Sequence, residues 1–395
     1  MLLGGIRYLL PVIKAAHEQG YYVITADYLP DNIAHKYSDE YVNVSIIDKE
    51  AVLRVAQERR IDGILSFGVD PGVVSAAYVA EKMGLPSSGP YQSVCILQNK
   101  DRFRRFLREN GFRCPWSFCV SSVKEALDYE KEYTYPLIVK PTDSAGSKGV
   151  TRVDNEQGLI GAVEYALKFS MSGTAIIEQF LEKDVCSSDS DCFVEDGKFK
   201  FISFSAQRFD ENAAGVYTPA AYSWPSAMSR KDEDELTGEL QRLISLLGMK
   251  TAIYNIECRV SDGKPYIMEC SPRGGGNRLA EMLRYATGVD MITALTRYSV
   301  GDSVPHIEQR PYQGHWSEVI LHADKEGFFD RLQINSGIPA EIVEEDLWVK
   351  KGDKVKPFEG ANDAIGTLVL RCHDEFGLEN LIKNQRDWLK VVVKN

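Results

Sequence analysis

Along the first hundred residues the apolar positions switch repeatedly between the period of a strand and that of a helix. Leu2 and Leu3 lead into Gly4 and Gly5, and a helical pattern then runs to His17. Residues 21–27 (YYVITAD) read as a buried strand followed by the turn Pro30-Asp31-Asn32, and residues 42–46 (VNVSI) as another. Residues 49–60 have the spacing of an amphipathic helix. Residues 63–67 (GILSF) predict a fourth strand, followed by a loop over 68–72 and a helix to Met83. Strand and helix in this order predict a parallel, doubly wound α/β sheet. Its first strand is short, because Met1 stands where an ordinary strand would be under way.

The pattern then becomes α+β. Residues 99–110 predict a helix with Phe103, Phe106 and Leu107 on one face, stopped by Gly111. A strand near 116–120, a helix from Val123 and the strand PLIVKP (136–141) follow. After them come the glycine-rich DSAGSKGV, a helix near 159–169 and the strand TAIIEQFL. Two strands flank Glu195-Asp196-Gly197, a helix covers about 232–247, and a hairpin joins TAIYNIECRV to KPYIMEC. The tail after Gly301 is rich in strand pattern, with turns at Gly352-Asp353 and Gly360.

A chain of 395 residues is too long for one core and predicts roughly two to four domains. No apolar run approaches the roughly 20 residues that cross a bilayer, and MLLGGIRYLL lacks the basic start of a signal peptide. The expected compartment is the cytoplasm. A net charge of −11 argues against broad nucleic-acid binding, though not against a phosphorylated ligand held by a local basic cluster. The eight cysteines form no CxxC pair and are expected as free thiols. The six histidines show no HxxxH or HxH spacing, so no zinc site is expected.

Four segments carry candidate chemistry. The strand 136–141 delivers Lys140 at its end, and the loop beyond it carries Ser144, Gly146, Ser147, Lys148 and Gly149. Small residues let backbone N–H groups approach phosphate oxygens, and the hydroxyls and ammonium add donors. The spacing GxxxxGK[ST] cannot be laid over Lys148, and an ordinary turn is the competing reading. In the hairpin, a two-residue Asp262-Gly263 turn would send Glu257 and Glu269 to opposite faces. A three-residue loop, Ser261-Asp262-Gly263 with a left-handed glycine, pairs Val260 with Lys264. That register, the one expected, sets Asn255 opposite Glu269 and Glu257 opposite Ile267, all three polar groups on one face. Two such carboxylates can hold Mg²⁺ against a polyphosphate; solvated acids on an exposed face are the alternative. Third, Ser271-Pro272-Arg273 and three glycines place a bidentate fork beside a loop open to close approach. Fourth, Lys100 puts a cation in the first turn of its helix, against the macrodipole, which a docked anion would relieve.

In their order along the chain these segments resemble the ATP-grasp superfamily of ligases. They are similar to proteins of the carbamoyl-phosphate synthase large-subunit and biotin carboxylase kinds. The resemblance runs from the N-terminal part to about Arg278 and is weaker in the tail. NKDRFRRFLRENG resembles the segment of the first nucleotide lysine (Lys100), PLIVKP that of the second (Lys140), and DSAGSKGV the lid loop over the phosphates. IIEQFLEKD resembles the adenine-binding strand and hinge. It implies Glu178 facing the adenine amino group, the backbone of Gln179, Phe180 and Leu181 reading the base, and Asp184 near the ribose. NIECRV and IMECSPRGGG resemble the metal strands, implying Glu257, Glu269 and Ser271 as ligands to Mg²⁺ or Mn²⁺. Arg273 and Lys140 are then the catalytic groups on the phosphates. Family members commonly carry Asn where this chain has Ser271, so Asn255, Asn277 or water stand as alternative ligands.

The resemblance implies a pre-ATP-grasp Rossmann-like domain (1–95) and a lid subdomain with its linker helix (96–180). A metal and phosphate subdomain (181–305) and a strand-rich C-terminal subdomain (306–395) complete it. It implies ATP-dependent ligation of a carboxylate to an amine, or to a thiol, through an acyl phosphate, with ADP and phosphate released. The implied partners are small carboxylates and amines, with no nucleic acid or membrane, and a homodimer is compatible with it. Arg208, Tyr217 and Arg278 are candidate pocket residues. Two other readings are a nucleotide-binding protein without ligase activity and a dinucleotide-dependent oxidoreductase. For the latter, Gly4, Gly5 and Asp27 imitate the site, but GGIRYL lacks the third glycine of GxGxxG.

Overall fold

The computed structural model describes residues 1–395 except Ala145, Ser147 and Ser336. The chain forms two compact units, neither a single run of sequence. One comprises Met1–Pro115, Asp189–Ser203 and Ser229–Arg310; the other Trp116–Ser188, Phe204–Met228 and Pro311–Asn395. This division differs from boundaries in sequence order at 95, 180 and 305, because strand pairing between distant segments builds each unit.

The first unit opens with the expected parallel sheet, in the order Glu40–Asn43, Ile24–Asp27, Leu2–Leu3, Leu65–Ser66. Leu2 pairs with Thr25 on one side and Leu65 on the other. The third strand begins at Glu40, earlier than the sequence reading, and Asp70–Met83 is helical from Asp70, which shortens the expected loop. Leu3, Ile24, Ala26, Val52, Ala56 and Val79 fill the space between this sheet and its helices. The helix Lys100–Glu109 is capped by Asn99, whose side chain accepts from Arg102 N at 3.0 Å. It buries Phe103 and Leu107, and also Arg104.

A second sheet in this unit runs Lys198–Phe201, Ser188–Glu195, Ala252–Ser261, Lys264–Ser271, so the last strand is an edge. The helix Arg230–Leu246 buries Leu236, Leu240, Leu243 and Ile244. Two further helices, Leu279–Thr287 and Met291–Ser299, were not anticipated from the sequence.

The second unit holds an antiparallel sheet in the order Ser117–Val120, Ala175–Gln179, Leu137–Pro141, Thr151–Val153. Leu137, Val139, Val163, Ala166 and Ile177 form its core with the helix Leu159–Phe169. A five-stranded sheet runs Ala206–Phe209, Pro219–Trp224, His315–Leu321, Gly366–Cys372, Ala340–Leu347. A three-stranded sheet of Lys354–Val355, Gly327–Ile334 and Leu389–Lys394 completes the tail. All eight cysteines are free thiols. Among the described residues no helix is long and apolar enough to cross a membrane.

Candidate functional site

The hairpin of the first unit overturns one expectation and keeps its consequence. Ser261 pairs with Lys264, so the loop is Asp262-Gly263 alone, with φ of 50° and 64°. That is the two-residue turn with both central residues left-handed, not a three-residue loop. Pairing continues through Cys258 and Ile267 and then shifts by one residue. Glu257 stands opposite Glu269, and Asn255 opposite Ser271. The expected partners, Ile267 for Glu257 and Glu269 for Asn255, are corrected accordingly. Met268 is the extra residue of a β-bulge, which returns Glu269 to the face of Glu257. Ile256, Cys258, Val260, Ile267 and Cys270 bury the other face.

Like charges directly opposite on a sheet repel, and cations meet both. Lys100 Nζ lies 3.1 Å from Glu269 Oε1, and an Arg259 guanidinium nitrogen 4.0 Å from Glu257 Oε1. Glu269 is thus the anion that relieves the conflict of Lys100 with its helix dipole. The Ser271 hydroxyl accepts from Gln98 Nε2 at 2.7 Å and donates to Asp70 Oδ1 at 3.1 Å.

Asp70 also takes both arms of Arg273, from Nε at 2.8 Å and Nη2 at 2.7 Å, while Nη1 donates to the Gly274 carbonyl at 3.0 Å. Burial works against the Arg273 charge, but Asp70, with Asp191 and Asp189 beyond it, outweighs this and raises its pKa. Asp70 escaped the sequence reading; its signal was an acid in the first turn of a helix that follows a strand directly.

The glycine run is packed by its own unit. A Cβ on Gly274 would lie 2.2 Å from the Phe67 ring, and its carbonyl accepts from Gly68 N at 2.9 Å. Gly275 N donates to Asp191 Oδ1 at 2.8 Å. Burial pushes the Asp191 carboxyl up to about 7, against the opposing pull of the Gly275 hydrogen bond and the Arg273 charge. Asn255 Nδ2 donates to Asp189 at 2.7 Å and Asp191 at 3.2 Å, and the Asn277 amide oxygen accepts from Tyr8 at 2.7 Å. Asn277 and Arg278 both sit in the left-handed region, at 51° and 57°, uncommon for residues other than glycine. Arg278 pairs with Glu281 at 3.3 Å. The turn at Gly4 and Gly5 is filled as well. A Cβ on Gly4 would meet Val69 at 2.8 Å and one on Gly5 would meet Asn32 at 2.5 Å, which leaves a dinucleotide little room there.

In the second unit Lys140 Nζ lies 2.7 Å from Glu178 Oε2, with Glu178 fully buried. The two strands set Lys140 opposite Ile176 and Glu178 opposite Ile138, a diagonal that long side chains bridge. Glu178 is therefore the counterion of Lys140. Gln179 N donates to Trp116 O at 3.1 Å and Phe180 N to Pro136 O at 3.2 Å. Those two donors cannot read a base, which narrows the expected backbone contacts. Arg152 stacks over the Phe180 ring at 4.3 Å and pairs with Glu182 at 2.9 Å, and Asp184 is exposed nearby in sequence.

In the glycine-rich loop Gly146 and Gly149 have φ of 69° and 74°. Lys148 is exposed and Ser144 half-buried, while Ser147 lies outside the described residues. The Asp143 carboxylate anchors the loop by accepting from Ser170 Oγ at 2.9 Å and Ser172 N at 2.7 Å. Arg208 is engaged by Glu379, and Tyr217 is exposed.

Opposed glutamates supply the hard oxygen donors that Mg²⁺ and Mn²⁺ favour, and their mutual repulsion gives a cation a place; the residues fit the metal. Among the described residues Asp210, His322 and Asp324 also bring three ligand atoms together. There the Arg386 guanidinium already bridges Asp210 and Asp324, so the charge is met without a metal.

A sequence profile described as the ATP-grasp domain matches residues 133–281. Over that stretch the chain is similar to ATP-grasp domains. The carbamoyl phosphate synthase large chain of Thermotoga neapolitana is 28% identical over 306 residues, 76% of this chain and 27% of that protein. The chain thus spans little more than a quarter of the length of such curated relatives, at 27% of each. The L-amino acid ligase of Bacillus licheniformis superposes with a TM-score of 0.81 at 20% identity, over 100% of this chain and 98% of that one. Phosphoribosylglycinamide synthetase from Anaerococcus prevotii gives 0.76 at 18% identity, over 100% and 98%. At such identities the superpositions establish a shared fold alone.

Proposed function

We propose that this chain is an ATP-dependent ligase that activates a carboxylate as an acyl phosphate and joins it to an amine. The observation that carries the reading is Glu257 facing Glu269 across a bulged hairpin, with Lys100 on Glu269. A bound Mg²⁺ or Mn²⁺ would neutralise polyphosphate charge and orient the transferred phosphoryl group. Glu257 and Glu269 would hold it, with Ser271 kept close by Gln98 and Asp70. Lys100 would exchange a carboxylate oxygen for a phosphate oxygen. Within the second unit Lys140, steadied by Glu178, would offer its ammonium to a phosphate, and the loop around Gly146 and Gly149 would add backbone N–H donors. Arg273, clamped by Asp70, fixes the segment that follows Glu269 and keeps a positive charge beside the carboxylates.

The likeness to the L-amino acid ligase of Bacillus licheniformis makes amino acids the first acids and amines to test. The experiment is release of ADP and phosphate from Mg²⁺ and ATP over a matrix of small acids and amines. Release that requires both an acid and an amine supports the ligase. Nucleotide binding without release for any pair would favour a nucleotide-binding protein that has no ligase activity.

A further inference from the structure

The Met268 bulge sets the parity of the metal hairpin, and its support comes from outside the sheet. With a two-residue turn and an uninterrupted ladder, Glu257 would face Met268, and Glu269 would face Ile256 on the buried side. The observed shift between Cys258 and Glu257 prevents this. A bulge disrupts the ladder locally, and Lys264–Ser271 is an edge strand, so a carbonyl turned away from its neighbour has no ladder partner. The Met268 carbonyl accepts from Arg104 Nη1 at 2.8 Å. Arg104 is fully buried and lies one helical turn beyond Lys100, which pairs with Glu269. Adjacent residues of the edge strand are thus gripped by residues four apart on one helix, the spacing that places side chains on a common face. Arg113 Nη1 braces the same strand at Pro265 O, at 2.9 Å.

We infer that Arg104 is a positioning residue: by holding the bulged Met268 carbonyl it fixes Glu269 on the face of Glu257, and so makes a two-carboxylate metal site of a hairpin whose turn alone would split it. The inference rests on the reading of Glu257 and Glu269 as the metal pair. A guanidinium offers a strand carbonyl a rigid planar fork of donors, whereas the ammonium of lysine is a compact point charge on a flexible stem. Residues that orient metal ligands typically change affinity roughly 10- to 100-fold when replaced.

The geometry offers a specific rescue. Deleting Met268 removes the extra residue, so the two-residue turn then pairs Glu257 with Glu269 in a regular ladder that needs no bulge. Four proteins are compared: wild type, Arg104→Met, the Met268 deletion, and the two combined. Binding of Mn²⁺ in the presence of ADP is followed by electron paramagnetic resonance, with thermal unfolding alongside. Arg104→Met is expected to weaken Mn²⁺ binding roughly 10- to 100-fold, the deletion to bind comparably to wild type, and the combination to match the deletion. Unchanged Mn²⁺ affinity in Arg104→Met would overturn the inference. So would an equal loss in both backgrounds, which is the mark of general packing, or loss of binding in the deletion alone. If Arg104→Met does not fold, Arg104→Lys takes its place, with a smaller loss expected and the same rescue required. Glu269→Gln is the control: if it leaves Mn²⁺ binding intact, the metal reading fails before Arg104 is judged.

Discussion

Glu269→Gln separates what the opposed carboxylates do for the fold from what they do for a metal. In the metal-free protein two small terms oppose one another. The pair with Lys100, 3.1 Å long with Glu269 at 45% exposure, is worth about 0.2–1 kcal/mol after solvent screening. Relief of repulsion from Glu257 directly opposite returns a similar amount, of order 0.2–1 kcal/mol. The metal-free variant should therefore unfold within roughly 2–4 °C of wild type. The functional term is larger. A ligand at a hundred times its Kd stabilises by about 2.7 kcal/mol, roughly 5–10 °C for units of this size. Glu269→Gln should lose nearly all of that shift, together with ATP turnover. Differential scanning calorimetry with and without Mg²⁺ and a non-hydrolysable ATP analogue measures both terms, and phosphate release completes the test. An equal metal-dependent shift in variant and wild type would refute the assignment. A metal-free loss of several kcal/mol would instead make Glu269 a structural residue.

Three further outcomes are expected. Gly263→Val should cost about 1–2 kcal/mol in urea unfolding through left-handed strain, with no clash because nothing lies within 4 Å of its Cβ; Mn²⁺ binding should survive, and its loss would mean that the turn governs the register. Lys140→Met should destabilise by about 3–5 kcal/mol, since it strands the buried Glu178 carboxylate. Adding Glu178→Gln should restore most of the stability while calorimetry still finds weak nucleotide binding; wild-type affinity in the double variant would remove Lys140 from the site. Asp191 has its carboxyl raised by burial to about 7, so its contribution to stability is full below about pH 4 and is lost as pH rises through about 7. Asp191→Asn should flatten the unfolding midpoint over that window, and an unchanged profile would show that Asp191 does not titrate there.

The parallel sheet and the helices Lys100–Glu109 and Arg230–Leu246 were legible because period and caps agree in each. Leu279–Thr287 and Met291–Ser299 were not. They bury most of their residues, which weakens the amphipathic contrast, and Arg278 gives the first no side-chain cap. Lys100, Lys140, Glu257 and Glu269 could be chosen as candidates from residue type and position at the ends of elements. Their partners could not. Asp70 meets Arg273 across 203 positions of sequence, and Asp191 meets Gly275 across 84. The Lys140–Glu178 pair follows from a strand register that the sequence does not print.

The hairpin shows why a correct constraint can carry a wrong detail. Side chains alternate with period two, so placing Glu257 and Glu269 on one face demands an odd number of residues that interrupt the pairing. A three-residue loop, Ser261-Asp262-Gly263, would supply all of them. In the structure Asp262 and Gly263 supply two and the Met268 bulge one, and the parity holds over the sum. A turn is legible because glycine and aspartate mark it locally. A bulge leaves no such mark when, as here, its extra carbonyl is held by Arg104, 164 residues away in sequence. The same helix brings Lys100 to Glu269, so the partner that balances the glutamate and the partner that sets its register arrive on one rigid element. A change that shifts this helix by a turn would therefore remove the charge partner and the register together, and neither effect could be read from the hairpin alone.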